Sequence, residues 1–203
     1  MLVTMKNCTK RYGDEIILSD ISLSLSKGMY FIKGDNGSGK SVLLRGIATV
    51  EDFTSGTYNN KAKNILYLTD QNLSQNYLTI SENISLLYSI HNIQLSSAEE
   101  AFIKDLYTND QLNTLSETAS LGMNLKVGCS LLAKKQHWDL VILDETLSSI
   151  DFTSRNKILE ACEALIENDT CILIVSHNDL DREYKNISTV VELLEGRLIK
   201  NGK

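Results

Sequence analysis

Apolar and polar positions alternate in short stretches near the start of the chain. "NCTKRYGDEIILSDISLSLSKG", broken at Gly13 and Gly28, predicts antiparallel strands. The apolar run "MYFIKG" predicts a short strand, and "KSVLLRGIATV" soon after it has helical spacing. "KNILYLT" (63–69) predicts a further strand. From about residue 79 to 135 the spacing is helical, through "TISENISLLYSIH", "SAEEAFIKDLY" and "MNLKVGCSLLAKKQ". Strands return in "DLVILDE" and "TCILIVSH", which are apolar almost throughout, with the amphipathic "DFTSRNKILEACEALIE" between them. "STVVELLEGRLIKNG" predicts a hairpin turning at Glu195 and Gly196.

Strands apolar on both faces, alternating with helices, imply a mainly parallel sheet covered on both sides. The fold class expected is α/β: a central, mainly parallel sheet, an antiparallel side sheet built from the strands at both chain ends, and a helical insertion of some 55 residues. One domain is expected, with a core subdomain over 1–71 and 136–203 and a helical subdomain over about 72–135. No repeat, low-complexity tract or linker interrupts it.

Composition narrows the function classes. The chain has 203 residues, 42% hydrophobic and 23% charged, ordinary values for a soluble globular protein. Its 20 Lys+Arg against 26 Asp+Glu give a net charge of −6, and no basic cluster is present. That makes the chain a poor candidate for gripping nucleic acid by its phosphates, and equally poor as a polybasic lipid binder. No run approaches the ~18 to 20 apolar residues of a membrane span, and "MLVTMKNCTKRYGDE" lacks the form of a signal peptide. Cys8, Cys129, Cys162 and Cys171 are scattered without a C-x-x-C pair, the usage of reduced thiols in a cytoplasmic protein. Proline is absent, and the sequence offers no physical reason for it.

The densest chemistry lies in "GDNGSGKS", residues 34–41, which holds three of the 11 glycines. It matches G-x-x-x-x-G-K-[ST], with Gly34 and Gly39 framing the loop. Backbone N–H groups of such a loop, here from Gly34, Asn36, Gly37, Ser38 and Gly39, turn inward around a β-phosphate. The helix that follows aims its positive end at the anion. Lys40 is placed to reach β- and γ-phosphate oxygens and Ser41 to ligate Mg²⁺. The strand "LVILDE" ends in two carboxylates. Asp144 can hold the Mg²⁺ shell through water, and Glu145 can orient or deprotonate an attacking water. His177 directly follows "CILIVS".

Together these residues resemble the nucleotide-binding subunit of an ATP-binding cassette (ABC) transporter, a P-loop NTPase, nearly end to end. The resemblance assigns Tyr12 to stacking on adenine, Glu145 to catalysis and His177 to the switch histidine. It matches "SSID" (148–151) to the D-loop, with Asp151 as its acid, and "ASLGM" (119–123) to the signature that opens a helix. Ser120 and Gly122 would then face the γ-phosphate held by another subunit, with Lys126 in a basic position beyond them. The metal-facing glutamine of the family aligns with Asp70, and Gln71 stands one residue later, so two side chains compete for that role. Thr146 replaces the proline that usually follows the glutamate. The resemblance implies ATP and Mg²⁺ as cofactors, and two cassettes (a homodimer or pseudo-dimer) sandwiching two ATP molecules. It further implies a separate membrane permease and a cytoplasmic location on the inner face of the cell membrane. The form Ser-x-Gly-Met is similar to exporters of the drug, bacteriocin and lantibiotic type. The competing class is a soluble cassette ATPase without a permease, such as one for iron–sulfur assembly.

Overall fold

The computed structural model of the chain describes residues 1–175 and 187–199. Contacts divide it into two compact units. The first comprises residues 1–67, 138–145 and 169–203, and the second 68–137 and 146–168.

The first unit carries the strands. β1 (Val3–Tyr12), β2 (Glu15–Leu25) and β4 (Ser55–Asn60) form an antiparallel sheet in the order β2-β1-β4. A second sheet runs β5-β6-β7-β3-β8-β9, built from β3 (Gly28–Lys33), β5 (Ile65–Leu68), β6 (Leu140–Asp144), β7 (Cys171–Val175), β8 (Ser188–Leu194) and β9 (Arg197–Ile199). Within it β6, β7, β3 and β8 pair in parallel, and β9 closes on β8 as an antiparallel hairpin. Every residue of β6 and β7 is buried, which is why these two strands show no alternation in sequence. α1 (Lys40–Ile47) buries Leu43, Leu44 and Ile47 against a core that includes Leu18, Ile21 and Leu25 of β2, Ile142 and Leu173. Each such side chain contributes about 1.5–3 kcal/mol on leaving water.

One expectation is corrected here. The C-terminal hairpin does not join the side sheet. β8 pairs in parallel with β3, from Met29↔Ser188 to Lys33↔Glu192, and buries Leu193 completely. The third strand of the side sheet is instead "SGTYNN", paired with β1 from Val3↔Asn60 to Thr9↔Ser55. It is an edge strand with no buried side chain, so it lacks the apolar alternation that announces a strand.

The second unit is helical: α2 (Ile80–Ile90), α3 (Ser97–Leu106), α4 (Asn109–Leu112), α5 (Leu121–Cys129) and α6 (Phe152–Ile166), with 3₁₀ turns at Ser130–Ala133 and Thr146–Ser149. Three of these helices start on capping boxes, Thr79 with Glu82, Ser96 with Glu99 and Thr108 with Gln111. The core includes Ile80, Ile84, Ile103, Leu125, Leu131 and Leu159, and the buried Tyr88 hydroxyl donates to the Ser130 carbonyl at 2.8 Å. The division sets α6 with the helices, whereas the sequence boundaries place it with the sheets. Among the described residues no helix is long and apolar enough to cross a membrane.

Candidate functional site

The loop Gly34–Gly39 joins β3 to α1, so a buried strand fixes one end and a buried helix the other. Gly39 is the N-cap of α1 with φ 98°, in the left-handed region. A Cβ there would meet Leu18 Cδ2 at 2.9 Å and the Ile17 carbonyl at 3.2 Å, so glycine is required by both dihedral and space. The β8–β9 turn, with Glu195 and Gly196 both at positive φ, braces this loop. The Gly196 N–H donates to the Ser38 carbonyl at 3.1 Å, and the Gly196 carbonyl accepts from Ser19 N–H at 2.8 Å. That brace is a contribution the sequence reading missed, because nothing local in "LLEGRL" refers to residue 38.

The loop borders a cleft of about 400 Å³ lined by Ile17, Asn36, Gly37, Gly39, Lys40, Ser41, Val42 and Glu145. Lys40 is buried, and its ammonium donates to the Gly34 and Asp35 carbonyls, both at 2.9 Å. The Ser38 hydroxyl is buried without a protein hydrogen-bond partner. Ser41 Oγ donates to Asp144 Oδ1 at 3.2 Å, and Asp144 Oδ2 accepts from the Tyr67 hydroxyl at 3.0 Å. Burial, with the Asp144 charge beside it, pushes the Tyr67 phenol well above its ordinary range, so it stays a donor at any physiological pH. Tyr67 is a second residue missed from sequence. Its only signal is its place at the third position of "ILYL". Glu145 takes φ 58°, a left-handed conformation costly for a residue with a Cβ, and its N–H donates to the Val175 carbonyl at 3.0 Å.

These features fit a phosphate chain and a hard cation. The cleft is lined by Lys40, Ser41 and the N-terminal end of α1; Ser41 Oγ is hydrogen-bonded to Asp144 Oδ1, and the same loop carries the buried, unpaired Ser38 hydroxyl. Mg²⁺ takes few protein oxygens and completes its shell with water and phosphate.

Tyr12 ends β1 and is 46% exposed. It does not line the cleft. Its hydroxyl donates to the Glu51 carboxylate, Arg45 reaches that hydroxyl at 3.4 Å, and the Lys10 ammonium lies 5.1 Å from the ring centroid. Lys10 and Arg45 also pair with Glu51 at 3.2 and 2.5 Å. The Tyr12 hydrogen bond, then those from Arg45 and Lys10, hold the Glu51 carboxyl down at about 2.

The helical unit holds a separate group. Ser120 is the N-cap of α5, its hydroxyl accepting from Met123 N–H at 3.2 Å. A Cβ on Gly122 would collide with the Ser149 carbonyl. Lys126 is buried and donates to the Leu106 carbonyl at 2.7 Å, Ser154 Oγ at 3.2 Å and Asp151 Oδ2 at 3.5 Å, with its ammonium 4.6 Å from the Tyr107 ring centroid. Burial lowers its pKa, and Asp151 offsets part of that. Asp151 caps α6 by accepting from Ser154 N–H at 2.9 Å. Burial opposes its charge, but hydrogen bonds from Ser154 and the Lys126 ammonium bring its carboxyl below the usual range. Asp70 and Gln71 are both exposed; Gln71 borders a small cavity with Thr146, and Asp70 does not. His177 lies outside the described residues.

A sequence profile of the family described as ABC transporter matches residues 18–148. The chain is 28% identical over 222 aligned positions to the macrolide export ATP-binding/permease protein MacB of Campylobacter jejuni subsp. jejuni serotype O:2, covering 100% of this chain and 34% of that protein. It thus spans about a third of that relative's length. A solved ATP-binding subunit of an ABC transporter superposes with a TM-score of 0.83 at 20% identity, over 100% of this chain and 90% of the other. The ATP-binding cassette MJ0796, solved as a post-hydrolysis dimer bound to ADP and Pi, superposes at 0.79 and 21% identity, over 99% and 98%. The chain therefore belongs to the ABC transporter family, and its fold is that of the family's ATP-binding cassettes.

Proposed function

We propose that the chain binds ATP with Mg²⁺ and hydrolyses it to ADP and phosphate, and that this powers transport through a membrane permease. The permease is either a separate subunit or part of a longer polypeptide. The observation that carries this reading is the loop and its cleft: Lys40 and Ser41 line the cleft, Ser41 is hydrogen-bonded to Asp144 at the end of β6, and the loop holds the unpaired Ser38 hydroxyl. The loop N–H groups bind the β-phosphate. Lys40 exchanges its two carbonyl partners for phosphate oxygens, which carry full charge and so bind the ammonium more strongly. Ser41 and Asp144 hold Mg²⁺, which when bound neutralises charge on the phosphates. Glu145 orients the attacking water and accepts its proton as the bond from γ-phosphorus to the β–γ bridging oxygen breaks. His177 enters on the sequence resemblance alone. Tyr12, held by Glu51, offers its ring to the adenine.

The signature group completes the site of a second cassette, identical or related. Ser120 and the N-terminal amides of α5 meet its γ-phosphate, so two cassettes close on two nucleotides and closure is coupled to catalysis. Asp151 belongs to the same closing surface. One of Asp70 and Gln71 approaches the metal on closure. The helical unit receives the permease at the inner face of the membrane, and the Ser-x-Gly-Met form of the signature favours export. In keeping with its net charge of −6, the chain has no nucleic-acid partner.

The test is nucleotide binding, phosphate release and size-exclusion chromatography on the purified chain. Lys40→Ala is expected to lose at least about tenfold in ATP affinity. Glu145→Gln is expected to keep ATP bound, lose at least about a hundredfold in turnover, and run as a dimer on addition of ATP. Unchanged turnover in Lys40→Ala would remove the nucleotide-site reading, and unchanged turnover in Glu145→Gln would remove the role given to Glu145.

A further inference from the structure

Thr146 follows Glu145 by one peptide bond and opens the 3₁₀ turn Thr146–Ser149. It is 1% exposed, and its hydroxyl has no protein hydrogen-bond partner. A buried hydroxyl left unpaired costs about 1–3 kcal/mol, so a threonine here calls for a partner. The same residue lines a cavity of about 10 Å³, whose other lining residues are the apolar Leu68, Leu73, Leu125 and Gly128 and the polar Thr69, Gln71 and Asn124. That volume is about one water position on the ~10–15 Å³ measure.

The polar wall has capacity to spare. Thr69 Oγ1 accepts from the Gln71 N–H at 3.1 Å, which leaves its hydroxyl hydrogen to donate. Asn124 is oriented by Ser116, accepting from its hydroxyl at 2.6 Å and donating to its carbonyl at 3.0 Å, which leaves one amide hydrogen and further acceptor capacity. A water bridging two or more polar groups is the ordinary occupant of such a space, because each bridge replaces a bond the group made to solvent.

We propose that this cavity is a one-water site in which the water bridges the Thr146 hydroxyl to the Thr69–Gln71 segment, making Thr146 a positioning residue for Glu145. The water joins the residue immediately after the proposed base to the segment after β5. It restrains the peptide that carries the left-handed Glu145, the conformation most in need of a fixed neighbour. The positioning role rests on the hydrolytic reading above, whereas the water site stands on burial and volume alone.

The test compares Thr146→Val, nearly isosteric and without the hydroxyl, with Thr146→Ser, which keeps it. If the cavity were dry, valine would remove an unpaired polar group and raise Tm. If a water is bound, valine strands that water and lowers Tm. The expected result is a lower Tm for Thr146→Val, with a crystal structure of the wild-type chain showing a water within hydrogen-bond distance of Thr146 Oγ1. A raised Tm or a dry cavity overturns the site. In turnover, Thr146→Val is expected to lose about tenfold in kcat with little change in KM for ATP, and Thr146→Ser to recover to within about twofold. Wild-type kcat in Thr146→Val beside an inactive Lys40→Ala overturns the positioning role alone. Turnover that survives Lys40→Ala instead removes the nucleotide-site reading, and the Tm and water results then decide the site by themselves.

Discussion

Replacing Lys126 by Met keeps the length and burial of the side chain and removes its charge. In the wild-type chain the ammonium satisfies the Leu106 carbonyl, one of the last of α3, at 2.7 Å. Such carbonyls have no partner within their own helix. Leaving this one unpaired costs about 1–3 kcal/mol, and losing the cation over the Tyr107 ring costs about 0.5–2 kcal/mol. The Asp151 partner counts for little, because its side chain is 58% exposed and returns to water, about 0–1 kcal/mol. Against these losses, methionine has no ammonium to desolvate, and burial is what lowers the Lys126 pKa. The balance is a net loss of about 2 kcal/mol, or roughly 4–8 °C in Tm for a chain of this size. Urea denaturation and calorimetry of both proteins measure it directly. Asp151→Asn preserves an N-cap for α6 and is expected to cost less than about 1 kcal/mol. The linkage gives a second reading. A lysine with a lowered folded pKa contributes stability that is fullest above its unfolded value, near 10.4, and that fades as pH falls through the folded value. The wild-type advantage over Lys126→Met must therefore widen as pH rises from neutrality. A variant as stable as wild type at pH 7, or an advantage that narrows with rising pH, would refute the reasoning.

The remaining expectations concern one close contact and one acid. Gly122→Ala places a Cβ onto the Ser149 backbone carbonyl, which cannot swing away as a side chain would. A loss of about 1–3 kcal/mol in stability is expected, read as a lower urea midpoint, with Gly122→Ser at least as damaging; a neutral Gly122→Ala would show that the two backbones can separate freely. Glu51, held down at about 2 from 4.5 by Tyr12, Arg45 and Lys10, contributes stability above pH 4.5 that is lost as pH falls toward 2. Glu51→Gln should flatten that part of the stability profile, and an unchanged acid limb would detach Glu51 from Tyr12.

The sequence carried the elements whose cause is local. The phosphate loop is legible because its glycines, lysine and serine follow one another along the chain. β6 and β7 are legible because strands buried on both faces must be apolar throughout. α2 and α3 are legible from their apolar spacing, and the structure adds local capping boxes at Thr79 and Ser96. A four-residue helix such as α4 is too short to show a hydrophobic period.

Other features were decided only when distant segments met. Strand order is one. "SGTYNN" and "STVVELL" differ little in length, yet pairing with β1 made the first an edge of the side sheet and pairing with β3 drew the second into the main sheet. The support of the site is another: Tyr67 reaches Asp144 across 77 positions and Gly196 reaches Ser38 across the whole cassette, through hydrogen bonds that local composition does not encode. The surroundings of Asp70 and Gln71 are of the same kind. Both side chains are chemically suited to a metal, and the sequence register favours Asp70. Packing within the helical unit places Gln71, and not Asp70, at the small cavity that Thr146 lines. Periodicity and motif are properties of neighbours in the chain. Which backbone completes a sheet, and which hydroxyl meets which carboxylate, depends on the closure of loops over many tens of residues, and the sequence expresses that only through the whole core at once.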